Sequence, residues 1–256
     1  MNISNDLVEK YNEVYKDEAN FWTFLPIEER LAIMNNIDCT QKSIIDVGCG
    51  TGDFAAWMAT SGAKYVVGID ASKQAIWEAR HKYNLDNLIF INGATDSILR
   101  KEFHIVTMIG VLEHADKPKD LLKSCAGFLL PGGRLISSSP YHGNPRGAIW
   151  LAMKYILDLP ISLTDKHEFT SEWMYESGKE VGLNPDGYVD VDHSWGNGSR
   201  FIEDFRKRLP KVCPKVPEER IKTAMDILES YFSDDNKKTT SGANRVYFFT
   251  KPKEAV

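Results

Sequence analysis

Cysteine is scarce in this sequence and never occurs in close pairs. The four cysteines among 256 residues are Cys39, Cys49, Cys125 and Cys213, a spacing that argues against the usual zinc clusters and a disulfide framework. Residues 1–10 carry acidic and amide side chains where a secretory signal needs an apolar run after basic residues. We therefore expect a cytoplasmic protein.

The sequence also lacks a long apolar run and an excess of positive charge. Its most apolar segment, Ala148–Leu163, is interrupted by Lys154, Asp158 and Pro160, so it falls short of the roughly 18 consecutive apolar residues that cross a bilayer. A formal net charge of -5 creates no long-range field that would attract a phosphate backbone. We therefore expect neither a spanning helix nor a nucleic-acid partner.

Short β-branched runs alternate with helical patterns from Ser43 onward, which is typical of βαβ units around a parallel sheet. A charged fraction of 26% and an apolar fraction of 43% are ordinary for a globular protein. The predicted strands are Ser43–Val47, Tyr65–Ile69, Leu88–Asn92, His104–Ile109, Arg134–Ser138, Tyr188–Val191 and Asn244–Thr250.

Helices are predicted between these strands from their periodicity and caps. They cover Gly52–Ser61, a segment from Ser72 toward Tyr83, a segment from Pro118, Ser171–Val181 and Glu218–Phe232. Pro131, Gly132 and Gly133 are predicted to form a turn before the fifth strand, since proline presets one turn residue and glycine tolerates positive φ at the next.

Two stretches interrupt the alternation and are interpreted as insertions in one domain that covers residues 43–256. They lie at about 140–168 and 194–241. In the first, residues 147–163 combine bulky apolar side chains with few charges, a composition that suits contact with a membrane surface or a lipid-like acceptor. Covering the sheet is the alternative use of these side chains.

A glycine-rich loop follows the first predicted strand and opens a helix. It reads Asp46-Val47-Gly48-Cys49-Gly50-Thr51-Gly52, and its glycines allow a tight turn with a ligand against the backbone. A dinucleotide fingerprint would have glycine at position 53, where this chain has Asp53, and Asp46 would repel a pyrophosphate. A cofactor with positive groups and no phosphate, such as S-adenosylmethionine, would be stabilised by Asp46. A purely structural turn is the alternative.

Asp70 ends the second predicted strand, at the spacing where an acidic residue reaches the ribose hydroxyls of a nucleotide in α/β folds. A carboxylate accepts both hydroxyl protons, so Asp70 is a predicted cofactor-binding residue. The alternative is that Asp70 acts with Ser72 as the cap of the following helix.

Four motifs resemble those of the class I S-adenosylmethionine-dependent methyltransferases in order and spacing. They are Asp46 to Gly52, Gly68-Ile69-Asp70, Val111 to His114 and Leu130 to Gly133. The resemblance covers roughly residues 30–182 and is greatest to the ubiquinone-biosynthesis O-methyltransferases. The residues that carry this closer likeness are Glu113-His114, Trp150-Leu151, Tyr155-Ile156-Leu157 and His167.

The resemblance implies an α/β fold, a Rossmann-like doubly wound sheet of seven strands with the last strand antiparallel and with helical insertions on the acceptor side. It implies S-adenosyl-L-methionine as cofactor and S-adenosyl-L-homocysteine as product, with residues 1–42 as an N-terminal helical segment covering the cofactor site. Arg30 would contact the methionine carboxylate, the backbone of Ala94 and Thr95 the adenine, and Ile109 the methionine portion. The predicted cofactor-binding residues are therefore Arg30, Asp46, Gly48, Gly50, Gly52, Asp70, Ala94, Thr95 and Ile109.

Three histidines are candidates for the base in methyl transfer to a hydroxyl, which must lose its proton. In order of preference they are His142, His114 and His167, and for each the alternative is a histidine that only hydrogen-bonds a loop. His167 precedes Glu168, which would orient it. Asp165, His167 and Glu168 are near each other in sequence, but no metal site is predicted.

The predicted function is S-adenosylmethionine-dependent methylation of a small or lipid-like molecule at a hydroxyl oxygen. In this class, insertions after the fifth strand and before the last one build the acceptor side. The chain departs from the quinone enzymes there, since Pro140 to Asn144 stand where those enzymes have an Asn-Arg pair. An N-methyltransferase of a small amine and a non-catalytic S-adenosylmethionine-binding protein remain alternatives.

Overall fold

The structure, a computed structural model, describes residues 5–14, 27–99, 102–159, 162, 164–232 and 241–253. The strands are β1 (Ser43–Val47), β2 (Tyr65–Asp70), β3 (Leu88–Asn92), β4 (Phe103–Ile109), β5 (Leu129–Pro140), β6 (Asn184–Val191) and β7 (Asn244–Thr250). The α-helices are α1 (Asn5–Val14), α2 (Ile27–Met34), α3 (Asp53–Thr60), α4 (Lys73–Lys82), α5 (Pro118–Phe128), α6 (Pro145–Leu151), α7 (Ser171–Glu180), α8 (His193–Asn197), α9 (Ser199–Val212) and α10 (Glu218–Phe232).

The strands form one seven-stranded sheet in the order β3-β2-β1-β4-β5-β7-β6. The pairs β1–β2, β1–β4, β2–β3 and β4–β5 are parallel. The strand order reverses after β3, because β4 returns to the other side of β1. In such sheets ligands bind at the carboxyl ends of the strands, beside this reversal.

The hydrogen bonds between β5 and β7 show that β7 is antiparallel. The Gly132 amide donates to the Lys251 carbonyl at 2.9 Å. Directly after β5, the Tyr141 amide donates to the carbonyl of Ala243, which directly precedes β7, at 2.8 Å. From Gly132 to Tyr141 the residue number of the hydrogen-bond partner falls from 251 to 243, so the two strands run in opposite directions. The predicted doubly wound sheet with an antiparallel last strand is confirmed.

Most predicted elements agree with the structure to within one residue at each end. β1, β3, β7 and α10 have the predicted bounds. The agreement is close because local signals mark these ends, such as the Ser72 side chain, which accepts a hydrogen bond from the Ala75 amide at 3.1 Å and caps α4.

The predicted turn before the fifth strand is wrong. Residues 131–133 lie inside β5, where the register on β4 jumps from Phe103 opposite Leu129 to Ile105 opposite Arg134. This irregularity keeps its backbone hydrogen bonds because residues 132 and 133 pair with the Lys251 backbone. The expected positive φ is present, since Gly132 has a φ of 76°. The strand nevertheless continues through these residues, because they pair with Lys251.

The sixth strand begins earlier than predicted, at Asn184 instead of Tyr188. The first half of β6 was not predicted because it contains Pro185 and Gly187, which are both unfavourable within a strand. β6 is the last strand in the sheet order, and a strand at the edge tolerates a proline because one side of it needs no backbone donor.

The chain divides into two compact units. The first consists of Met1–Ser139, Phe169–Tyr188 and Val246–Val256, and the second of Pro140–Glu168 and Val189–Arg245. The second unit therefore contains the described parts of both predicted insertions. The prediction of a separate segment at residues 1–42 and a single domain over residues 43–256 is not tested by this division and stays a prediction.

Each unit has its own apolar core. The core of the first unit surrounds the central strands and includes Ile45, Met108 and Leu122. The core of the second unit joins Trp150 and Met153 to aromatic and aliphatic side chains of α9 and α10, namely Phe201, Ile202, Phe205, Ile221 and Met225. None of the helices in the described ranges is both long and apolar enough to cross a membrane.

Candidate functional site

The glycine-rich loop follows β1 at the carboxyl edge of the sheet. Gly48, Gly50 and Gly52 have positive φ angles of 74°, 53° and 81°. At Gly48 an added Cβ would lie 2.4 Å from Cγ2 of Val111, and at Gly52 it would lie 2.5 Å from Cζ of Phe90. The loop therefore requires glycine at both positions, and a ligand at this edge meets bare backbone.

Asp70 ties the end of β2 to the glycine-rich loop. Its Oδ2 accepts a hydrogen bond from the Gly50 amide at 3.0 Å, and its Oδ1 accepts one from the Ser72 amide at 2.7 Å. Burial raises the pKa of the Asp70 carboxyl above its ordinary value, and the two amide bonds partly oppose this shift. The carboxylate is fixed in orientation, and each oxygen retains a lone pair for a further donor.

Asp46 is the buried acid at the start of the loop. Burial raises its pKa to about 7, against the opposing effects of a hydrogen bond from Thr107 and the positive charge of Arg30. The Thr107 hydroxyl donates to Oδ1 of Asp46 at 2.6 Å. The Nε of Arg30, on α2, is buried and has no hydrogen-bond partner in the described part of the chain. This pair suits a zwitterionic ligand, since it offers an acid and an unsatisfied cationic donor.

Ala94, Thr95 and Ile109 lie at the same edge of the sheet, because they follow β3 or end β4, and both strands run in the direction of β1 and β2. The Gly93 amide donates to the Asp70 carbonyl at 3.0 Å, which brings the segment after β3 to Asp70. Thr95 is buried and begins a short 3-10 turn. The structure thus brings the predicted cofactor-binding residues of these strands together.

Asp53 has a structural role that the sequence reasoning missed. Its Oδ1 accepts hydrogen bonds from Lys82 Nζ and Tyr83 Oη, both at 2.7 Å, and its Oδ2 accepts one from Thr51 Oγ1 at 2.7 Å. Burial raises the pKa of Asp53, but these hydrogen bonds and the Lys82 charge outweigh it, so the net shift is downward. Asp53 therefore holds the end of the glycine-rich loop against the end of α4.

Helix α1 contacts both sides of this edge through Asn12 and Tyr11, which the sequence analysis did not single out. The Asn12 side-chain oxygen accepts a hydrogen bond from Ser72 Oγ at 2.7 Å. The Tyr11 ring packs edge-on against the His114 ring, with centroids 5.8 Å apart. Ser72 follows β2 and His114 follows β4, so α1 extends across the carboxyl ends of these strands. No local pattern could reveal this, because Asn12 and Ser72 are 60 residues apart.

The three candidate histidines are distributed over the two units. His114 belongs to the first unit, in the 3-10 turn after β4, where its Nε2 lies 3.9 Å from Oε1 of Glu113. His142 and His167 belong to the second unit. The assignment of a base among them is not tested by this placement.

His142 lies among charged groups of the second unit. Burial lowers the pKa of His142, Glu168 raises it, and Arg146 lowers it. The Glu168 carboxylate, which was expected to orient His167, accepts hydrogen bonds from Lys154 Nζ and Tyr155 Oη. The structure thus links Glu168 electrostatically to His142.

Comparisons with known proteins agree with this geometry. Residues 45–137 match a family model described as a methyltransferase domain. A ubiquinone biosynthesis O-methyltransferase from Nitrosomonas europaea is 31% identical over 204 residues, covering 71% of this chain and 85% of that protein. The chain belongs to the class I S-adenosylmethionine-dependent methyltransferases.

Another curated relative is matched over less of its length, and a solved structure is matched over nearly all of its own. The mitochondrial ubiquinone biosynthesis O-methyltransferase of Schizosaccharomyces pombe is 33% identical over 153 residues, and the match covers 54% of this chain and 56% of that protein. The chain thus spans little more than half the length of this relative. A solved S-adenosylmethionine-dependent methyltransferase from Mesorhizobium loti has a TM-score of 0.58 at 16% identity, covering 86% of this chain and 96% of that one, which shows the shared fold.

Proposed function

We propose that this chain transfers a methyl group from S-adenosylmethionine to a hydroxyl oxygen of a small or lipid-like molecule. The observation that carries the proposal is the arrangement of Asp46, Asp70 and the glycine-rich loop at one edge of the sheet. The names of the ubiquinone biosynthesis O-methyltransferases support oxygen as the methylated atom. Methyl transfer is a displacement at a good leaving group, so binding and orientation supply much of the acceleration.

Each end of the cofactor has a proposed partner. Asp70 accepts hydrogen bonds from the ribose hydroxyls, and Ala94 and Thr95 border the adenine. Asp46 attracts the ammonium of the methionine portion, and the unsatisfied Nε of Arg30 attracts its carboxylate. Gly48, Gly50, Gly52 and Ile109 provide the surface against which the cofactor lies.

Cofactor binding should depend on pH through Asp46. Its pKa of about 7 in the unliganded protein means that the carboxyl binds a proton at pH 6, and binding of an ammonium requires its release. We therefore expect S-adenosylhomocysteine to bind roughly tenfold more tightly at pH 7.5 than at pH 6.0, because the proton must be removed at the lower pH. Calorimetric titration at the two pH values measures this ratio.

The matched control for this effect is Asp46→Asn, which keeps an oxygen to accept the Thr107 hydrogen bond and cannot ionise. In this variant the affinity should be lower at both pH values, and the tenfold ratio should disappear. A wild-type affinity that does not change with pH, or a ratio that persists in Asp46→Asn, would assign the ammonium to another group.

His142 is the proposed base for the acceptor hydroxyl. Because burial lowers the pKa of His142, its neutral form predominates at pH 7 and accepts a proton. With S-adenosylmethionine saturating, kcat/KM for the acceptor should rise about tenfold per pH unit below that pKa and level off toward neutral pH. His142→Ala should lower kcat by roughly 10²- to 10⁴-fold without weakening S-adenosylhomocysteine binding.

The experiment is a screen of phenols, hydroxy acids and amines for formation of S-adenosylhomocysteine, followed by the histidine variants. His81→Ala is the control, because His81 is an exposed residue of α4. A loss of the expected size in His114→Ala or His167→Ala, with His142→Ala unaffected, would move the base to that residue. Absence of turnover with every acceptor would favour a binding protein without catalysis.

Exposed side chains within the segment 147–163 support a further part of this proposal, contact with a membrane surface or a lipid-like acceptor. Tyr155, Ile156 and Leu157 are consecutive and are 62%, 77% and 61% exposed. Exposed bulky side chains of this kind favour the interfacial region of a bilayer. This contact and the cytoplasmic location expected from the scarcity of cysteine stay predictions.

A further inference from the structure

The second unit contains two arginines in its apolar core. Arg208, on α9, is 6% exposed, and the Arg146 side chain, at the start of α6, is 16% exposed. Both guanidinium groups lie over the ring of Trp150. The central carbon of the guanidinium is 4.7 Å from the ring centroid in Arg146 and 4.8 Å in Arg208. Cations are rarely buried in a core without a specific partner.

Asp204 lies between the two guanidinium groups and accepts hydrogen bonds from both. Its Oδ1 accepts a hydrogen bond from a terminal nitrogen of Arg208 at 2.9 Å, and its Oδ2 accepts a longer one from a terminal nitrogen of Arg146 at 3.3 Å. Within the described residues, Arg146 contacts Asp204 through one nitrogen and not through the two parallel bonds that guanidinium and carboxylate groups can form. The contact of Arg146 in particular leaves other donors of its guanidinium available.

Buried donors of Arg146 and Trp150 have no acceptor in the part of the chain that the structure describes. The Nε of Arg146 and the Nε1 of the Trp150 indole are inaccessible and have no hydrogen-bond partner within the described residues. An unsatisfied buried donor is costly, so the cluster favours a ligand that brings an acceptor. Both groups only donate, and an oxyanion offers several lone pairs to them together with a negative charge that the guanidinium stabilises.

Arg146 is also close to the proposed base. The backbone of the next residue, Gly147, packs directly on that of His142, because an added Cβ there would lie 2.4 Å from the His142 Cα. The positive charge of Arg146 also contributes to lowering the pKa of His142. A group held by Arg146 therefore lies in the neighbourhood of His142.

We propose that Arg146, supported by Trp150 and Arg208, binds an oxyanion of the methyl acceptor, a carboxylate or a phosphate, so that the acceptor is an acidic hydroxy compound. The inference rests on the proposed methyltransferase function and specifies its substrate class. Arginine suits this role, because its planar donors match the geometry of both oxyanions. The stacked indole restricts the guanidinium and reduces the entropy that it loses on binding.

The test measures binding to the full chain with S-adenosylhomocysteine present, by ligand-detected NMR. The probes are 4-hydroxybenzoate, its neutral amide and inorganic phosphate. We expect the acid to bind at least tenfold more tightly than the amide, and phosphate to compete with it. Stronger binding of phosphate than of the acid would identify a phosphorylated acceptor, and the reverse a carboxylic acid. Equal binding of acid and amide, without phosphate binding, would overturn the inference.

Variants test whether Arg146 and Trp150 cause the preference for the acid over the amide. Arg146→Gln should abolish the preference for the acid, and Trp150→Phe, which keeps a ring but removes the N–H donor, should reduce it. Arg206→Gln is the matched control, because Arg206 is on α9 two residues before Arg208 but forms exposed ion pairs with Asp226 and Glu229. Preference for the acid that survives in Arg146→Gln would overturn the inference.

A turnover assay separates this inference from the proposed function. Methylation of neutral phenols without any preference for acids would retain the methyltransferase and remove the oxyanion site. Binding of acids through Arg146 without any turnover would retain the oxyanion site and contradict the proposed function.

Discussion

Asp70→Ala should lower the affinity for S-adenosylhomocysteine at least 100-fold. The variant loses the proposed acceptor of two ribose hydroxyls, and hydrogen bonds to a charged group contribute about 1.5–3 kcal/mol each. It also loses the bonds that the carboxylate accepts from the amides of Gly50 and Ser72 at 3.0 Å and 2.7 Å. The glycine-rich loop is then no longer tied to the end of β2. Calorimetric titration measures the loss.

Two further variants separate binding from general damage. Asp86→Ala removes an exposed acid just before β3 and should bind like the wild type. Asp70→Asn retains an oxygen for one amide or one hydroxyl and should fall between the wild type and Asp70→Ala. If Asp70→Ala, shown to be folded, binds within threefold of the wild type, the ribose is held elsewhere.

Asp204→Asn should destabilise the protein by roughly 3–5 kcal/mol, because it removes the carboxylate from between two buried cations. Asp204 is 2% exposed and accepts hydrogen bonds from both Arg146 and Arg208. In the variant, two guanidinium groups would face each other across a neutral amide in the core of the second unit. Urea denaturation, followed by circular dichroism, measures the change in unfolding free energy.

Asp226→Asn is the matched control, since Asp226 also joins two cations. It contacts Arg206 and Lys222 at 2.8 Å and 2.6 Å, but at the surface, where its side chain is 44% exposed. Water screens such pairs, so this variant should change stability little. Equal losses in the two variants would show that Asp204 contributes no more than a surface ion pair.

Local patterns in the sequence were enough to predict the central strands of the sheet and the location of the glycine-rich loop. β1, β3 and β7 were predictable because their apolar runs end at local signals, and α4 because Ser72 caps it. The positions of Asp46 and Asp70 were also predictable, since Asp46 is the last residue but one of β1 and Asp70 ends β2, and the carboxyl ends of both strands lie at the ligand-binding edge.

Which groups from distant parts of the sequence meet depends on the folded structure. It placed residues 131–133 within β5 through pairing with Lys251, and it brought α1 to both Ser72 and His114. It also buried Arg146 and Arg208 over Trp150 in the second unit, although arginine is common at protein surfaces. Local propensity and periodicity describe neighbours along the chain, whereas these contacts join segments tens of residues apart, and their energy comes from burial and charge pairing that exist only after folding.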